Sequence, residues 1–354
     1  VSKMKYVELI RNLTDANGIS GFEDEVVDVI KKYAVSEKVA VDTMNNVFLG
    51  KKQNAGNRPL VMIDAHSDEV GFMVQFITGN GLLKFIPIGG WQDVNVAAQR
   101  VRIRNRNGVY IKGVVASVPP HFLSAAQKDA PPKIENMLID VGATSREEVI
   151  NDFGIDIAAP IVPDVDFSMN SNGIMCAKAF DDRIGAAAVI ATMEDLAREE
   201  LNIDLIGTIS TQEEVGLRGA EVTVKTVNPD IAIVYEGTPA DDTFTSGYET
   251  QAALKKGPQL RHRDGSMITN PRFLAFVRSI AKQYNIPFQD AVRAGGGTDG
   301  GKIHLVTGAV PTVVIGIPVR YAHTHYGYCA YDDFINAVEL GKAVLRNIPG
   351  DLNY

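Results

Sequence analysis

The chain has 354 residues, 45% hydrophobic and 22% charged, and its 35 Lys and Arg against 43 Asp and Glu give a formal charge of −8. An acidic excess spread along the chain excludes nucleic-acid binding by charge alone, which needs a basic face, and favours cationic or metal partners. No apolar run approaches the roughly 20 residues that cross a bilayer. Cys176 and Cys329 lie far apart and the first residues carry no export pattern, so reduced thiols, a cytoplasmic setting and no membrane partner are expected.

In chain order, apolar residues spaced three and four apart predict amphipathic helices over 5–16 and 23–34, separated by Gly18, Ser20 and Gly21. The run Leu60-Val61-Met62-Ile63 reads as a strand buried on both faces, ending near Asp64 just before His66. From 71 to about 163, short β-branched or alternating runs are broken by Gly, Asn and Pro, with a little helix at 145–153. Helix and strand then alternate: helices over 183–199, 219–227, 268–284 and 332–345, strands over 203–210, 231–235 and 312–317. Such alternation predicts an α/β fold, a mostly parallel sheet with helices on both faces, plus an inserted β-rich domain. The expected division is 1–70 with 166–354 as one discontinuous domain and 71–165 as the insert.

Ligands of open α/β sheets bind beyond the carboxyl ends of the strands, and the polar residues expected there form a coherent group. His66 and Asp68 follow one strand, Glu213 and Glu214 another, Glu236 a third and His323 a fourth, while Asp181 and Asp182 precede a helix. Each has an ordinary alternative: Asp181 and Asp182 as helix caps, the Glu213-Glu214 doublet as a solvated turn, Glu236 as a loop charge. Together, two imidazoles and several carboxylates suit a pair of divalent cations about 3.5 to 4 Å apart around a shared carboxylate, able to polarise a carbonyl and generate hydroxide. Zn²⁺ fits such mixed ligands, with Co²⁺ or Mn²⁺ as competitors. The adjacent glutamates would repel without a cation; with one, either Glu can ligate while its neighbour, held off the metal, serves as base. Gly296 to Lys302 fits a phosphate-loop spacing, but Ile303 stands where that loop needs Ser or Thr. His121, His262 and His304 suit packed or surface roles, and composition does not rank His325 against His323.

The motifs IDAHSDEVGFMV (63–74), AFDDRIGAA (179–187), TQEEVGLRGA (211–220), YEGTPADD (235–242), GGGTDGGKIH (295–304) and PVRYAHTH (318–325) extend over essentially the whole chain. In these the chain resembles the tetrahedral aminopeptidases, dinuclear zinc- or cobalt-dependent exopeptidases that include glutamyl and deblocking aminopeptidases. The resemblance implies that His66 and Glu236 hold one metal, Glu214 and His323 the other, and Asp181 bridges both. Glu213 would be the general base and Asp68 would orient His66; Glu236 stands where many relatives have Asp. It further implies that the insert is a dimerisation domain, that dimers build a tetrahedral dodecamer, and that the partners are small peptides with a free N-terminus. Thr298 and Asp299 fall in a segment lying near the family's substrate pocket. Lys302 and Arg293 flank the Gly-rich turn, where a cation would favour Glu or Asp as the first residue. The expected activity is therefore an aminopeptidase leaning to acidic N-terminal residues; a dinuclear amide deacylase and a non-catalytic peptide-binding assembly protein are the alternatives.

Overall fold

The computed structural model describes residues 4–36, 38–50, 58–126, 130–306 and 308–349. Its larger sheet has 11 strands. At its centre Asp204–Ser210, Leu60–His66, Ile231–Pro239 and Thr312–Arg320 lie side by side and parallel. Short strands extend it on both sides: Val39–Val41 with Val47–Leu49, and Gly327–Ala330, Ile174–Ala177 and Ser168–Met169. Gln259–Arg263 pairs antiparallel with Thr312–Arg320, and Gln289–Val292 joins its other edge.

The continuous apolar run from Leu60 has a structural cause. Val61, Ile63 and Ala65 pack into one core with the helices Val7–Asp15, Asp24–Tyr33, Phe180–Leu196 and Tyr331–Asn347, whereas Leu60 and Met62 enter a second core with Arg218–Val227. Alternate side chains thus feed opposite faces, and neither face tolerates a polar run.

The block from Gly71–Ile77 to Pro160–Pro163 closes into a six-stranded antiparallel barrel around its own core, which includes Phe72, Phe85, Val101, Ile103, Ile139 and Ile161. Sequence periodicity predicts β-rich structure here, but closure depends on long-range register such as Val101 against Pro163. Helix boundaries agree to within a few residues. The helix expected to begin at 183 instead starts at Phe180, with non-helical backbone at Asp181 and Asp182. Two strands run further than their apolar runs suggest, Ile231–Pro239 and Thr312–Arg320. Glu236 therefore lies within a strand and not after it.

Candidate active site

Strand register gathers the polar residues. Ser210 pairs with His66 across parallel strands, so Glu213 and Glu214 emerge just beyond the imidazole. On the other side Val234 pairs with Asp64, which brings Glu236, two residues on, level with His66. The Thr312–Arg320 strand delivers His323 through a turn in which Tyr321 and His323 have φ of 64° and 60°. Ala179 and Gln212 are also left-handed, at 58° and 54°, so unfavourable backbone geometry brackets Asp181 and Glu213, a clustering typical of functional sites. Gly237 is required by close approach: a Cβ there would lie 2.7 Å from the Phe180 carbonyl oxygen and 2.8 Å from Asp181 Cα.

Asp181 stands at the centre. One of its oxygens is 3.2 Å from His66 Nε2 and the other 3.3 Å from His323 Nε2. Glu213 and Glu236 each come within 3.7 Å of His66 Nε2, and Glu214 within 3.4 Å of His323 Nε2. Ligand-type atoms of His66, Glu213 and Glu236 all lie within 4.8 Å of one another, and so do those of His66, Asp181 and Glu214. Behind this layer Asp68 accepts the backbone N–H groups of Glu213 (3.0 Å) and Glu214 (3.2 Å) and the Ser20 hydroxyl (2.6 Å), and faces His66 Nδ1 at 3.4 Å. Asp182 accepts the N–H groups of His66, Gly185 and Gly237, tying two strand ends to the helix start.

Charge in this cluster is unbalanced without a cation. Burial pushes the Glu214 carboxyl up to about 8, with Asp181 adding to it, and burial pushes Glu236 up to about 7. Glu213 is likewise raised by burial and by the neighbouring carboxylates, against the opposing pull of His66. Burial would depress His323, but Asp181 and Glu214 raise it to about 10; the same balance, led by Glu213, raises His66. Asp181 is held below the usual carboxylate range, the two imidazoles outweighing its burial. Glu214 Oε1 and Glu236 Oε2 are buried with no partner. Both histidines meet carbonyl oxygens at Nδ1, His66 that of Asp68 at 3.1 Å and His323 that of Gly90 at 2.8 Å. A carbonyl acceptor at Nδ1 takes the N–H there, so Nε2, which faces the carboxylates, is the nitrogen that would give up its proton to a cation, the arrangement of metal-ligating imidazoles. The donor set fits divalent cations.

The remaining candidates are dispersed. Arg293 lines a cleft of about 520 Å³ together with Asp181, Glu213, Glu214, Glu236 and His323, and it donates to Asp241 at 2.7 Å. Lys302 lies outside that lining and pairs with Glu221 at 3.1 Å. Thr298 and Asp299 are buried behind the site, Asp299 accepting from Ser210 at 2.5 Å. His325 sits apart from the carboxylates, its ring 5.1 Å from that of Trp91. Arg261, also in the cleft wall, is not foreseen from the sequence: it lies on Gln259–Arg263, whose QLRHR carries no apolar alternation.

Fold and site together define a hydrolase of the metallopeptidase kind, and comparison with known proteins gives the same class. The model of the M42 glutamyl aminopeptidase family matches residues 45–340. Over 349 residues the chain is 34% identical to the glutamyl aminopeptidase of Lactococcus lactis, covering 98% of this chain and 97% of that protein. It is 33% identical to the lysyl aminopeptidase of Pyrococcus furiosus over 350 residues, covering 96% and 97%. Among solved structures it is similar to a TET aminopeptidase from the archaeon Thaumarchaeota archaeon SCGC AB-539-E09, with TM-score 0.92 and 39% identity over 97% of this chain and 96% of the other. A second is the TET1 peptidase of Pyrococcus horikoshii, described as assembling into a tetrahedron or a large octahedral shell, with TM-score 0.86 and 27% identity over 97% and 100%. The chain belongs to the M42 glutamyl aminopeptidase family. It is an aminopeptidase, a hydrolase of peptide bonds.

Proposed function

We propose that the chain is a dinuclear metallo-aminopeptidase that removes N-terminal residues, with a lean to Glu and Asp, from small peptides. The observation that carries this reading is Asp181, whose two oxygens each face the Nε2 of a different histidine. In this reading His66 and Glu236 would hold one cation and Glu214 and His323 the other, with Asp181 shared between them. Zn²⁺ or Co²⁺ suits these ligands, and when bound the pair polarises the scissile carbonyl and acidifies water. Glu213 accepts a proton from the attacking water and returns it to the departing amine. Its position supports that role, because Asp68 holds the Glu213 and Glu214 backbones and Glu213 lines the cleft beside the ligand-type side chains. Asp68 keeps the Nδ1 proton of His66 in place. The acidic wall receives the free α-amine, which an internal peptide bond lacks. Thr298 and Asp299 would support the substrate pocket from behind, with Arg293 as a cation in its lining, whereas Lys302 stands outside that lining and faces Glu221. A cytoplasmic setting suits the two free cysteines.

The test is chelation followed by restoration with Zn²⁺ or Co²⁺, scored on chromogenic amino-acid amides with free and acetylated amines. Two metals per chain and turnover of free amines only are expected. The Glu213→Gln variant should keep both metals and lose roughly 10² to 10⁴-fold in kcat, the usual contribution of a general base. Preferred cleavage of acetylated amides would instead identify a deacylase, and full activity in Glu213→Gln would remove the base.

A further inference from the structure

The cleft is lined by groups of both charges. Asp181, Glu213, Glu214 and Glu236 are its acids, and Arg261 and Arg293 are its arginines. The two arginines are not equivalent. Arg293 has a side chain 24% exposed, and its guanidinium is occupied by the Asp241 carboxylate and the Pro239 carbonyl, at 2.7 and 3.1 Å.

Arg261 is only 4% exposed. One Nη donates to Asp264 at 3.1 Å and the other to Thr238 Oγ1 at 2.7 Å, while Nε is sealed from solvent with no acceptor. A guanidinium carries five N–H donors, so each Nη of Arg261 keeps a second one. Asp264 is drawn away from it: its other oxygen accepts Ser266 N, Ser266 Oγ and Met267 N at 2.7 to 2.9 Å. A cation this buried, short of acceptors and two residues along the strand from the site through Thr238, is costly unless the occupant of the cleft completes it.

We propose that Arg261 is the specificity-determining residue of the cleft, receiving the side-chain carboxylate of an acidic N-terminal residue whose α-amine faces the Glu236 wall. The assignment rests on the aminopeptidase reading above. It selects the first residue's own carboxylate over the C-terminal carboxylate of a short peptide, because Thr238, which holds Arg261, is only two residues from Glu236. A neutral side chain of equal size leaves the guanidinium as it is, so discrimination by charge is the signature. A site built around a buried polar group rejects the ligand that fails to pair with it.

The experiment compares metal-loaded wild-type enzyme with Arg261→Met and with the double variant Arg261→Met/Asp264→Asn, which removes both buried charges together. Substrates are the p-nitroanilides of Asp, Asn, Glu and Leu, and folding is followed by thermal unfolding. The wild type should favour Asp over Asn by about 10-fold or more in kcat/KM, and the folded variant should bring that ratio to roughly one. As a readout independent of variants, free aspartate should inhibit wild-type Leu hydrolysis more strongly than asparagine. An unchanged Asp to Asn ratio in a folded variant overturns the assignment, as does a wild type that cleaves Leu but treats Asp and Asn alike in turnover and inhibition; in either case the aminopeptidase reading stands. A wild type that cleaves none of the amides overturns that reading and the inference with it.

Discussion

His325 shows how far the environment of a single side chain settles its role. It shares the motif PVRYAHTH with His323, and by residue type the two are interchangeable. The fold separates them: His323 reaches Asp181 and Glu214, whereas His325 is 1% exposed, packs edge-on to Trp91 and tilted against Phe72, and has no partner at either nitrogen. Burial lowers its proton affinity from 6.5 to about 4. The folded value lies below the unfolded one, so this residue's contribution to stability is complete above pH 6.5 and is lost as the pH falls towards 4. At pH 5 the unfolded state binds nearly one more proton here, a loss of roughly 2 kcal/mol for the wild type relative to pH 7. In His325→Phe, which keeps an aromatic ring against Trp91, the loss of stability between pH 7 and pH 5, measured by urea unfolding, should be smaller by about that amount. Equal losses in the two proteins would show that His325 is not held neutral.

At the scale of elements, what the sequence reveals depends on whether local pattern or distant pairing determines the outcome. The central strands and main helices are legible because burial on one face or two leaves a periodic trace, as Leu60 to Ile63 shows. The metal-type residues were legible because chemically capable side chains cluster at the ends of those strands. Gln259–Arg263 left no such trace: its stability comes from pairing with Thr312–Arg320 and Gln289–Val292, so the cleft residue it carries, Arg261, stayed hidden. Arg183 was hidden too, in a motif read for its aspartates. Its buried guanidinium donates to the carbonyls of Leu13 and Ala16 at the end of the first helix, of Gly18, and of Ser67 beside His66, and pairs with Glu69 at 3.1 Å. It is the clamp between the first helix and the strand end that bears the imidazole. Lys178 shares Glu69 at 2.7 Å, and burial takes its pKa down to about 8. Replacing Arg183 by Met strands several buried carbonyls and weakens the compensation of Glu69, so Arg183→Met should cost about 3 to 5 kcal/mol. Denaturant unfolding of the metal-loaded protein would measure this; a change below 1 kcal/mol, about the worth of an exposed pair, would refute the clamp.

For the whole molecule, the issue is what the barrel contributes. Its core is separate from those of the α/β sheet, and it leaves large apolar side chains in solvent, among them Phe76, Val94, Val109, Val118, Ile157 and Phe122, the last 79% exposed. Single exposed apolar residues are ordinary, but several on one small domain suit a surface that a second copy covers. That fits the dimerisation role which the resemblance to the tetrahedral aminopeptidases implies for the insert. In a two-fold interface each residue acts twice. Burying one Phe contributes about 1.5 to 3 kcal/mol, so its loss from both copies costs roughly 3 to 6 kcal/mol, more than about 100-fold in the dimer dissociation constant. Phe122→Asp combined with Val118→Asp should therefore lower the mass measured by light scattering at micromolar concentration from that of the assembly to that of smaller species. The thermal unfolding of the α/β core should change little, because neither residue belongs to it. Turnover of a single-residue amide should persist in the dissociated protein, since every residue assigned to the metals, the base and the cleft comes from one chain. A mass unchanged by both substitutions would place the contact between copies elsewhere on the surface.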